Sequence, residues 1–283
     1  MAVKIITDST SYISADVKKD LDIKTVHLSV HFPDESFDET TVDYDYFYKK
    51  IETDNIIPTS SQPSLGQIYN AFKDVVEKGE EVLGIFISAK MSNTYDTALS
   101  AKKMIKDKYP QASIEIIDSR TNCMAMGVQV IEAAMAAAAG KRMDEITATV
   151  NGIMRKVHFY FVPASLKYLI RGGRIGGASA LIGSLLKIRP ILYVNNGMTD
   201  VLDKVRGTRL AVKRMLHLLN RETKRYGLKH LIVHNIHDEI RGNELAETLS
   251  KHYNREVLSL PIGPVIGSHV GPGTIGVVFS TDE

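Results

Sequence analysis

Residues 263–279 read Gly-Pro-Val-Ile-Gly-Ser-His-Val-Gly-Pro-Gly-Thr-Ile-Gly-Val-Val-Phe, and the rest of the chain is organised around this stretch. Its five glycines and two prolines predict a rigid loop whose backbone can approach a ligand closely. His269 stands at the centre of the loop, and Thr274 to Ser280 is typical of a terminal strand. Apolar residues around Ser268 and His269 fit a site with one fixed polar contact. A structural turn, in which the histidine bonds only to backbone groups, fits the same residues.

The composition is that of an ordinary protein of one large or two medium domains, with 283 residues, 24% charged and 44% apolar. The longest apolar stretch, Val128 to Ala139, contains Glu132 and predicts a buried helix rather than a membrane span. The first residues enter a strand at once, without the pattern of a signal peptide. The single cysteine, Cys123, excludes an internal disulfide and fits a reducing compartment. We therefore expect a cytoplasmic protein.

Charge is distributed unevenly, although the net charge is only +2. Residues 1–60 contain six Lys/Arg and twelve Asp/Glu. Residues 151–230 contain sixteen Lys/Arg and three Asp/Glu, a local net charge of +13. Such an excess indicates a basic surface that meets a negatively charged partner. A solvated face without a partner is the simpler alternative.

Strands and helices alternate through the first half of the chain. Apolar segments at Val3–Thr7, Thr25–Val30, Glu81–Ser88 and Ser113–Ile117 predict strands, and helical patterns separate most of them. This alternation predicts an α/β fold with a parallel sheet covered on both faces. Ligands gather outside the carboxyl ends of the strands in such sheets. The polar residues expected at that edge are Asp8, Ser9, Ser60, Ser61, Ser92, Thr94 and Asp118.

The pattern changes near residue 158. A strand at Phe159–Val162, a helix of small and aliphatic residues at 176–186 and a hairpin turned at Asn195-Asn-Gly197 are predicted next. Further strands and a basic helix follow. We therefore predict a two-domain fold, a parallel-sheet domain at 1–157 and a second α/β domain at 158–283. No long linker separates them, so a ligand site is expected in the cleft between them.

Several catalytic and cofactor motifs are incomplete. Arg171 to Ser179 nearly matches a phosphate-binding loop, but Ala178 stands where that loop requires lysine, so nucleotide binding is not predicted here. His230, His234 and His237 lack the cysteine or carboxylate pattern of a metal site. No nucleophile–base–orienter triad is evident either. These observations predict a protein without a metal or a cofactor.

Hydroxyl groups remain as the candidate ligands of an anion. Ser60, Ser61, Ser92 and Thr94 are predicted at helix N-termini, where free N–H groups and positive potential favour negative charge. Together with one imidazole they can hold a carboxylate or a phosphate. For any single serine taken alone, a plain helix cap is the better interpretation.

Six segments, in order along the whole chain, resemble the DegV family, the fatty-acid-binding proteins (FakB type) of bacterial fatty acid kinase systems. They are Ile-Thr-Asp-Ser-Thr (6–10), Thr-Ser-Ser-Gln-Pro-Ser (59–64), Met-Ser-Asn-Thr-Tyr (91–95), Ile-Asp-Ser (117–119), Arg-Gly-Gly-Arg-Ile (171–175) and Gly-Pro-Val-Ile-Gly-Ser-His-Val-Gly-Pro-Gly (263–273). The resemblance implies two α/β domains with a long-chain fatty acid buried between them. It implies that the carboxylate meets Ser60, Ser92 and His269.

Further site residues follow from the same resemblance. The supporting shell of the head group is expected at Ser61, Asn93, Thr94, Gly267 and Ser268. The acyl tunnel is expected along Ile175, Ala178, Ile182 and Ile266. Two positions depart from the family pattern: Ser60 replaces a threonine and keeps the hydroxyl, and Asn93 replaces a glycine and adds a side chain near the head group.

The resemblance also implies partners. A separate ATP-dependent fatty acid kinase would phosphorylate the bound acid, and an acyltransferase that uses acyl phosphates would receive the product for phospholipid synthesis. Arg206, Arg171 and Arg174 are the expected docking residues, and a transient contact with an anionic membrane is expected. Nucleic acid is not an expected partner, because no aromatic stacking residues or recognition motif accompany the basic region.

Two other functions remain open from the residues alone. One is an enzyme related to small-molecule kinases or hydrolases, in which His269 acts as a base or forms a covalent adduct. The other is a regulatory or nucleic-acid-binding module that uses the basic region 151–230. Bound fatty acid in the purified protein distinguishes the carrier from both.

Overall fold

The computed structural model describes residues 2–181 and 188–283. Within these residues the strands are β1 (Val3–Asp8), β2 (Lys24–Val26), β3 (Ser29–His31), β4 (Ser36–Asp38), β5 (Thr59–Ser61), β6 (Glu81–Phe86), β7 (Ile114–Asp118), β8 (Val157–Val162), β9 (Ile188–Asn195), β10 (Met198–Arg206), β11 (His230–Asn235), β12 (Leu258–Pro261) and β13 (Ile275–Ser280). The α-helices there are α1 (Ala15–Asp20), α2 (Tyr44–Asp54), α3 (Leu65–Val76), α4 (Thr94–Lys108), α5 (Cys123–Ala138), α6 (Met143–Met154), α7 (Lys167–Arg171), α8 (Thr208–Tyr226), α9 (Glu239–Tyr253) and α10 (Pro264–Val270). None of these helices is long and apolar enough to cross a membrane.

Four parallel strands form the first sheet, in the spatial order β2-β1-β6-β7. Helices α3 and α4 pack against each other over one face, where Ile68, Phe72 and Ala98 are fully buried together with Ile6 of β1. Helix α5 packs on β1 and β6 from the other face. The predicted parallel sheet with two covered faces is confirmed, and its nearly continuous apolar strands follow from that double burial.

Six strands form the second sheet, in the order β10-β9-β8-β13-β11-β12. Strands β11 and β12 are parallel, whereas the other neighbouring pairs are antiparallel. The C-terminal strand β13 lies between β8 and β11, so all of its residues are buried. Helices α8 and α9 supply Met215, Leu219 and Leu249 to the core on the outer face. The predicted second α/β unit and its β9–β10 hairpin are confirmed.

Helix α5 lies between the two sheets and joins them through one core. It packs on β1 and β6 of the first sheet and on β8 and β13 of the second. The buried residues of this middle core include Ile5, Leu83, Met126, Phe159 and Phe161. A domain boundary between residues 157 and 158 falls within β8 and stays a prediction, because the middle core contains residues from both sides of it.

A third sheet, small and antiparallel, has the order β4-β3-β5. The single strand predicted at Thr25–Val30 is wrong, since β2 pairs with β1 while β3 pairs with β4 and β5. Ser60 and Ser61 lie on β5, so they are not at the helix N-terminus that the sequence predicts. Ser64 caps α3 instead, through a bond from the amide of Gln67. The small sheet therefore carries Ser60 beside α10, which packs on β3 and β5.

The loop predicted around His269 is a short helix, α10. Pro264 is its first residue, where the fixed φ of proline fits and no N–H donor is needed. Gly271, with a φ of 91°, ends it. The helix predicted at 176–186 is a 3-10 helix at Gly176–Leu181, and residues 182–187 lie outside the described residues.

Candidate functional site

A cavity of about 240 Å³ lies where the carboxyl end of the first sheet meets the small sheet, α10 and the second sheet. Its polar lining residues are Ser60, Gln62, Lys90, Ser92, Asn93, Asn122, Arg174, Thr199, His269 and Thr274. Its apolar walls include Leu28, Ile87, Phe159, Phe161, Leu169, Val194, Ile262, Val265, Ile266 and Val270. The structure thus brings the three predicted head-group residues, Ser60, Ser92 and His269, into one cavity.

A hydrogen bond between Ser60 and His269 is part of this lining. Their Oγ and Nε2 atoms lie 2.8 Å apart. Ser60 is held on β5 opposite Val30 of β3, and His269 lies in the last turn of α10. The two residues are 209 positions apart in the sequence, so the pair exists only because the small sheet and α10 pack together.

The second ring nitrogen of His269 is buried. Nδ1 has no hydrogen-bond partner among the described residues. It faces Gly172, where a Cβ atom would overlap it. A proton on Nε2 leaves only an acceptor unpaired at Nδ1, and an unpaired buried acceptor is better tolerated than an unpaired N–H. In that tautomer Nε2–H donates to Ser60, and the hydroxyl hydrogen of Ser60 is free for another acceptor.

Burial also sets the charge of His269. Loss of water around the ring, with a smaller contribution from the guanidinium of Arg174, lowers the pKa of His269 to about 4. The imidazole is therefore neutral at pH 7. A negative group placed beside it would favour its charged form and raise this pKa again.

Ser92 lies in the turn that joins β6 to α4. Its Oγ lies 2.9 Å from Oγ1 of Thr94 and accepts a bond of 3.3 Å from the amide of Thr94. Thr94 is fully buried and does not line the cavity, so it supports Ser92 rather than facing a ligand. Asn93 lines the cavity and precedes α4 without a side-chain capping bond.

Arg174 connects this turn to the segment after α7. Its Nε donates to the carbonyl of Met91 over 3.1 Å, and another nitrogen donates to the carbonyl of Gly172. Arg171, Arg174 and Arg206 are all exposed, but of the three only Arg174 lines the cavity. The structure therefore separates the three arginines that were predicted together as docking residues.

Besides Thr94, three further residues predicted in the supporting shell lie outside the cavity lining. Ser61 alternates with Ser60 on β5, and its Oγ lies 2.8 Å from Nε2 of His31. Ser268 is buried and donates to the carbonyl of Val265 within α10. Gly267 packs directly on the hydroxyl of Tyr48. The structure gives each of these residues a packing or hydrogen-bonding partner away from the cavity.

Of the predicted tunnel residues, some line the cavity and others do not. Ile266 lines the cavity. Ile175 packs against the middle core, and Ala178 is fully buried in it, but neither lines the cavity. Ile182 lies outside the described residues.

The carboxylates expected at the sheet edge hold loops in place. Asp8 accepts bonds from Thr10 and from the amide of Ile87, and burial raises the pKa of Asp8 to about 6. Asp118 accepts from the amides of Ala89 and Arg120. Within residues 2–181 and 188–283, no group of three or more His, Cys, Asp or Glu side chains could hold a metal ion.

Sequence reasoning missed several lining residues. Asn122 follows β7 and precedes α5, and its Oδ1 is buried without a partner among the described residues. Its position after a parallel strand was a usable signal. Phe159 and Phe161 alternate along β8, so they face the same side and both reach the cavity. Gln62 and Lys90 gave no signal beyond their proximity to Ser60 and Ser92.

Comparison with known proteins agrees with this architecture. The sequence profile of the DegV family matches residues 2–282. A DegV domain-containing protein of Clostridium acetobutylicum is 45% identical over 283 residues, which cover 100% of this chain and 99% of the relative.

Two solved structures share the fold over nearly their whole length. DegV of Bacillus subtilis, described as a fatty acid binding protein, superposes with a TM-score of 0.88 at 30% identity and 99% coverage of both chains. A DegV family protein of Thermus thermophilus, described by its fatty acid binding, gives a TM-score of 0.90 at 26% identity, with 99% of this chain and 100% of that chain covered. From its sequence and its fold, the chain belongs to the DegV family.

Proposed function

We propose that this protein binds a long-chain fatty acid, with the carboxylate at Ser60, Ser92 and His269 and the tail along the apolar walls. The observation that carries the proposal is the Ser60–His269 pair in a cavity that has both polar groups and apolar walls. The fatty-acid-binding descriptions of the Bacillus subtilis and Thermus thermophilus proteins support the ligand class.

The head group needs hydrogen-bond donors, because an unpaired buried charge is very unfavourable. With the proton of His269 on Nε2, the hydroxyl of Ser60 donates to the carboxylate. Ser92 supplies a second hydroxyl from the β6–α4 turn, and Arg174 adds positive charge at the same cavity. These groups together offset the desolvation of the carboxylate.

The tail needs apolar surface. Phe159, Phe161, Val265 and Ile266 are at most 5% exposed and line the cavity. Burial of about fifteen methylene groups at ~0.8 kcal/mol each is worth on the order of 12 kcal/mol before the ordering of the ligand is subtracted. A fatty acid therefore gains most of its binding free energy from its tail, and the polar residues set its orientation.

We further propose a carrier role without catalysis. The protein would present the carboxylate to a separate ATP-dependent fatty acid kinase and pass the acyl phosphate to an acyltransferase of phospholipid synthesis. The missing lysine at Ala178 of the phosphate-loop-like segment agrees with a kinase supplied by another protein. Exposed Arg171 and Arg206 belong to the basic region and suit a docking surface or a transient contact with an anionic membrane. We place this carrier in the cytoplasm.

A hydrolase that uses Ser60 as nucleophile and His269 as base is the competing function, because the two atoms are at hydrogen-bond distance. In such enzymes a carboxylate or amide orients the second nitrogen of the histidine. Here Nδ1 has no partner among the described residues, and it faces Gly172. The geometry therefore favours binding over nucleophilic catalysis.

The site assignment is tested by Ser92→Ala and His269→Ala. Each variant removes one polar partner of the carboxylate. We therefore expect the free energy of fatty-acid binding to become less favourable by about 1–3 kcal/mol while the fold persists. Titration of delipidated protein with a fluorescent fatty acid measures the affinity, and circular dichroism checks the fold. Ser61→Ala, whose hydroxyl faces His31, is the matched control and should bind normally. Normal affinity in both site variants would contradict the assignment.

A further inference from the structure

We propose that Glu39 is a positioning residue for the head-group site: its buried carboxyl group fixes the beginning of α10, and thereby holds His269 against Ser60. The inference rests on the proposed function only for its ligand, because the effect on His269 is measurable in the empty protein. Nothing in the sequence patterns pointed to Glu39, which lies in an acidic surface-like segment.

Glu39 is only 1% exposed and both of its oxygens accept hydrogen bonds. Oε1 accepts from the hydroxyl of Tyr12 over 2.7 Å and from the amide of Val265 over 3.0 Å. Oε2 accepts from the hydroxyl of Ser9 over 2.6 Å. Through these three hydrogen-bond partners the carboxyl group of Glu39 joins the segment after β1 to the first turn of α10.

One turn of α10 separates the residue that bonds to Glu39 from His269. Val265 is the second residue of α10, and His269 follows four positions later, so the two residues lie on the same side of the helix. A seven-residue helix has little stability of its own and takes its position from its contacts. The bond from the amide of Val265 to Glu39 therefore helps to set where the imidazole lies.

The same residue is connected to Ser60. Glu39 directly follows β4, which pairs with β3, and β3 pairs with the strand that carries Ser60. The amide of Glu39 also donates to the carbonyl of Leu28, just before β3. Glu39 thus joins the strand system of Ser60 to the helix of His269. This also gives a role to Ser9 of the Asp8-Ser-Thr segment, whose hydroxyl does not line the cavity.

The experiment compares Glu39→Leu, Glu39→Gln and Tyr12→Phe. Leucine keeps the volume and removes all three acceptor contacts, so we expect fatty-acid affinity to fall about 10-fold or more. Glutamine keeps an acceptor for Tyr12 and Val265 and should restore affinity to within about 3-fold of wild type. Tyr12→Phe removes one donor to Glu39, and with it the longer contacts of 3.4 Å that the hydroxyl makes with the carbonyl of Gly263 and the amide of Ile266. Its effect on affinity should lie between those of the two Glu39 variants. In ligand-free protein the ring resonances of ¹⁵N-labelled His269 should shift in Glu39→Leu and stay near wild type in Glu39→Gln.

The control is Leu219→Ala, which destabilises the outer core of the second sheet without touching α10. It should lower the melting temperature and leave both affinity and the His269 resonances unchanged. If Glu39→Leu does not fold, Tyr12→Phe and Glu39→Gln still test the idea through the same resonances. Unchanged His269 resonances in every folded variant at positions 39 and 12, or an equal effect of Leu219→Ala, would overturn the proposal. A wild type that binds no fatty acid would overturn the proposed function and leave the resonance test intact.

Discussion

The two ring nitrogens of His269 have different surroundings, and together these set its position and its charge. One nitrogen bonds to Ser60 across the cavity, and the other is pressed against Gly172 with no partner among the described residues. The absence of a side chain at Gly172 makes room for the ring. The same packing removes water and keeps the imidazole neutral at pH 7.

This burial predicts a pH dependence of stability. The pKa of His269 is about 4 in the folded chain against 6.5 as the ordinary value, so the unfolded chain binds more protons between those values. The contribution of His269 to the free energy of unfolding should therefore rise with pH from about 4 to 6.5. The pKa values of Asp8 and Glu39 are raised to about 6 and about 7, so their contributions to the free energy of unfolding should fall as the pH rises.

The contribution of His269 is isolated by comparison with His269→Gln. The difference in unfolding free energy between wild type and variant cancels the carboxylates, and it should grow with pH through this window. Urea unfolding of delipidated protein at a series of pH values measures it. A difference that is constant from pH 4 to 7 would show that His269 is not buried as described.

Candidate site residues were easier to predict from the sequence than the strands and hydrogen bonds that hold them. Short motifs singled out Ser60, Ser92 and His269, and the structure places all three in one cavity, while their contact with a carboxylate stays a prediction. The strand position of Ser60 could not be predicted, since its strand has three residues and is defined by pairing with a distant segment. The roles of Asp8, Ser9 and Glu39 were hidden for the same reason, because a hydrogen-bond partner far along the chain leaves no local pattern.

Among the elements, α10 has the largest influence on the site. It contributes Val265, Ile266, His269 and Val270 to the cavity, and it packs on α2, α7, β3 and β5. The sequence predicted a loop here because glycine and proline are poor helix formers. Pro264 at the first position and Gly271 just past the end are nevertheless the places where a short helix uses these residues.

Because α10 forms one wall of the cavity, we expect its side chains to limit the length of the fatty acid that can bind. Ile266→Phe adds volume inside the cavity, so the longest fatty acid bound should become shorter. Ala178→Phe, at a fully buried position outside the lining, should instead lower stability by about 1–3 kcal/mol through overpacking. Mass spectrometry of the acids retained from a mixture of chain lengths, with melting curves, measures both. A shortened profile for Ala178→Phe alone would move the tail to the 176–181 segment.

Across the whole molecule, the two sheets share one core around α5. The alternation of strands and helices made this α/β architecture predictable, and each sheet could be assigned to its half of the chain. The sharing of the core could not be predicted, because an alanine-rich helix looks the same whether it covers one sheet or two. The cavity lies beside this core, so its walls come from both halves of the molecule.

The excess of positive charge in residues 151–230 leads to a prediction about Arg206, which we expect to contact a partner protein rather than the fatty acid. Arg206 is exposed at the end of β10 and does not line the cavity. We expect Arg206→Ala to retain fatty acid and to weaken phosphorylation by a partner kinase. Exposed charge pairs act mainly on association rates, so wild-type coupling should also fall with added salt.

Bound fatty acid and kinase-dependent phosphorylation, both measured across a salt series, check this expectation. Arg225→Ala, which removes an equal charge at the far end of α8, is the control. Loss of fatty acid from Arg206→Ala, or phosphorylation equal to wild type at every salt concentration, would contradict a docking role.

If the cavity holds a fatty acid, mass spectrometry of an organic extract of the purified protein should detect it. We predict a stoichiometric amount of long-chain fatty acid in the wild-type extract and a reduced amount in that of His269→Ala. A wild-type extract without fatty acid, together with no binding of added palmitate by the same preparation, would show that the cavity does not hold a fatty acid.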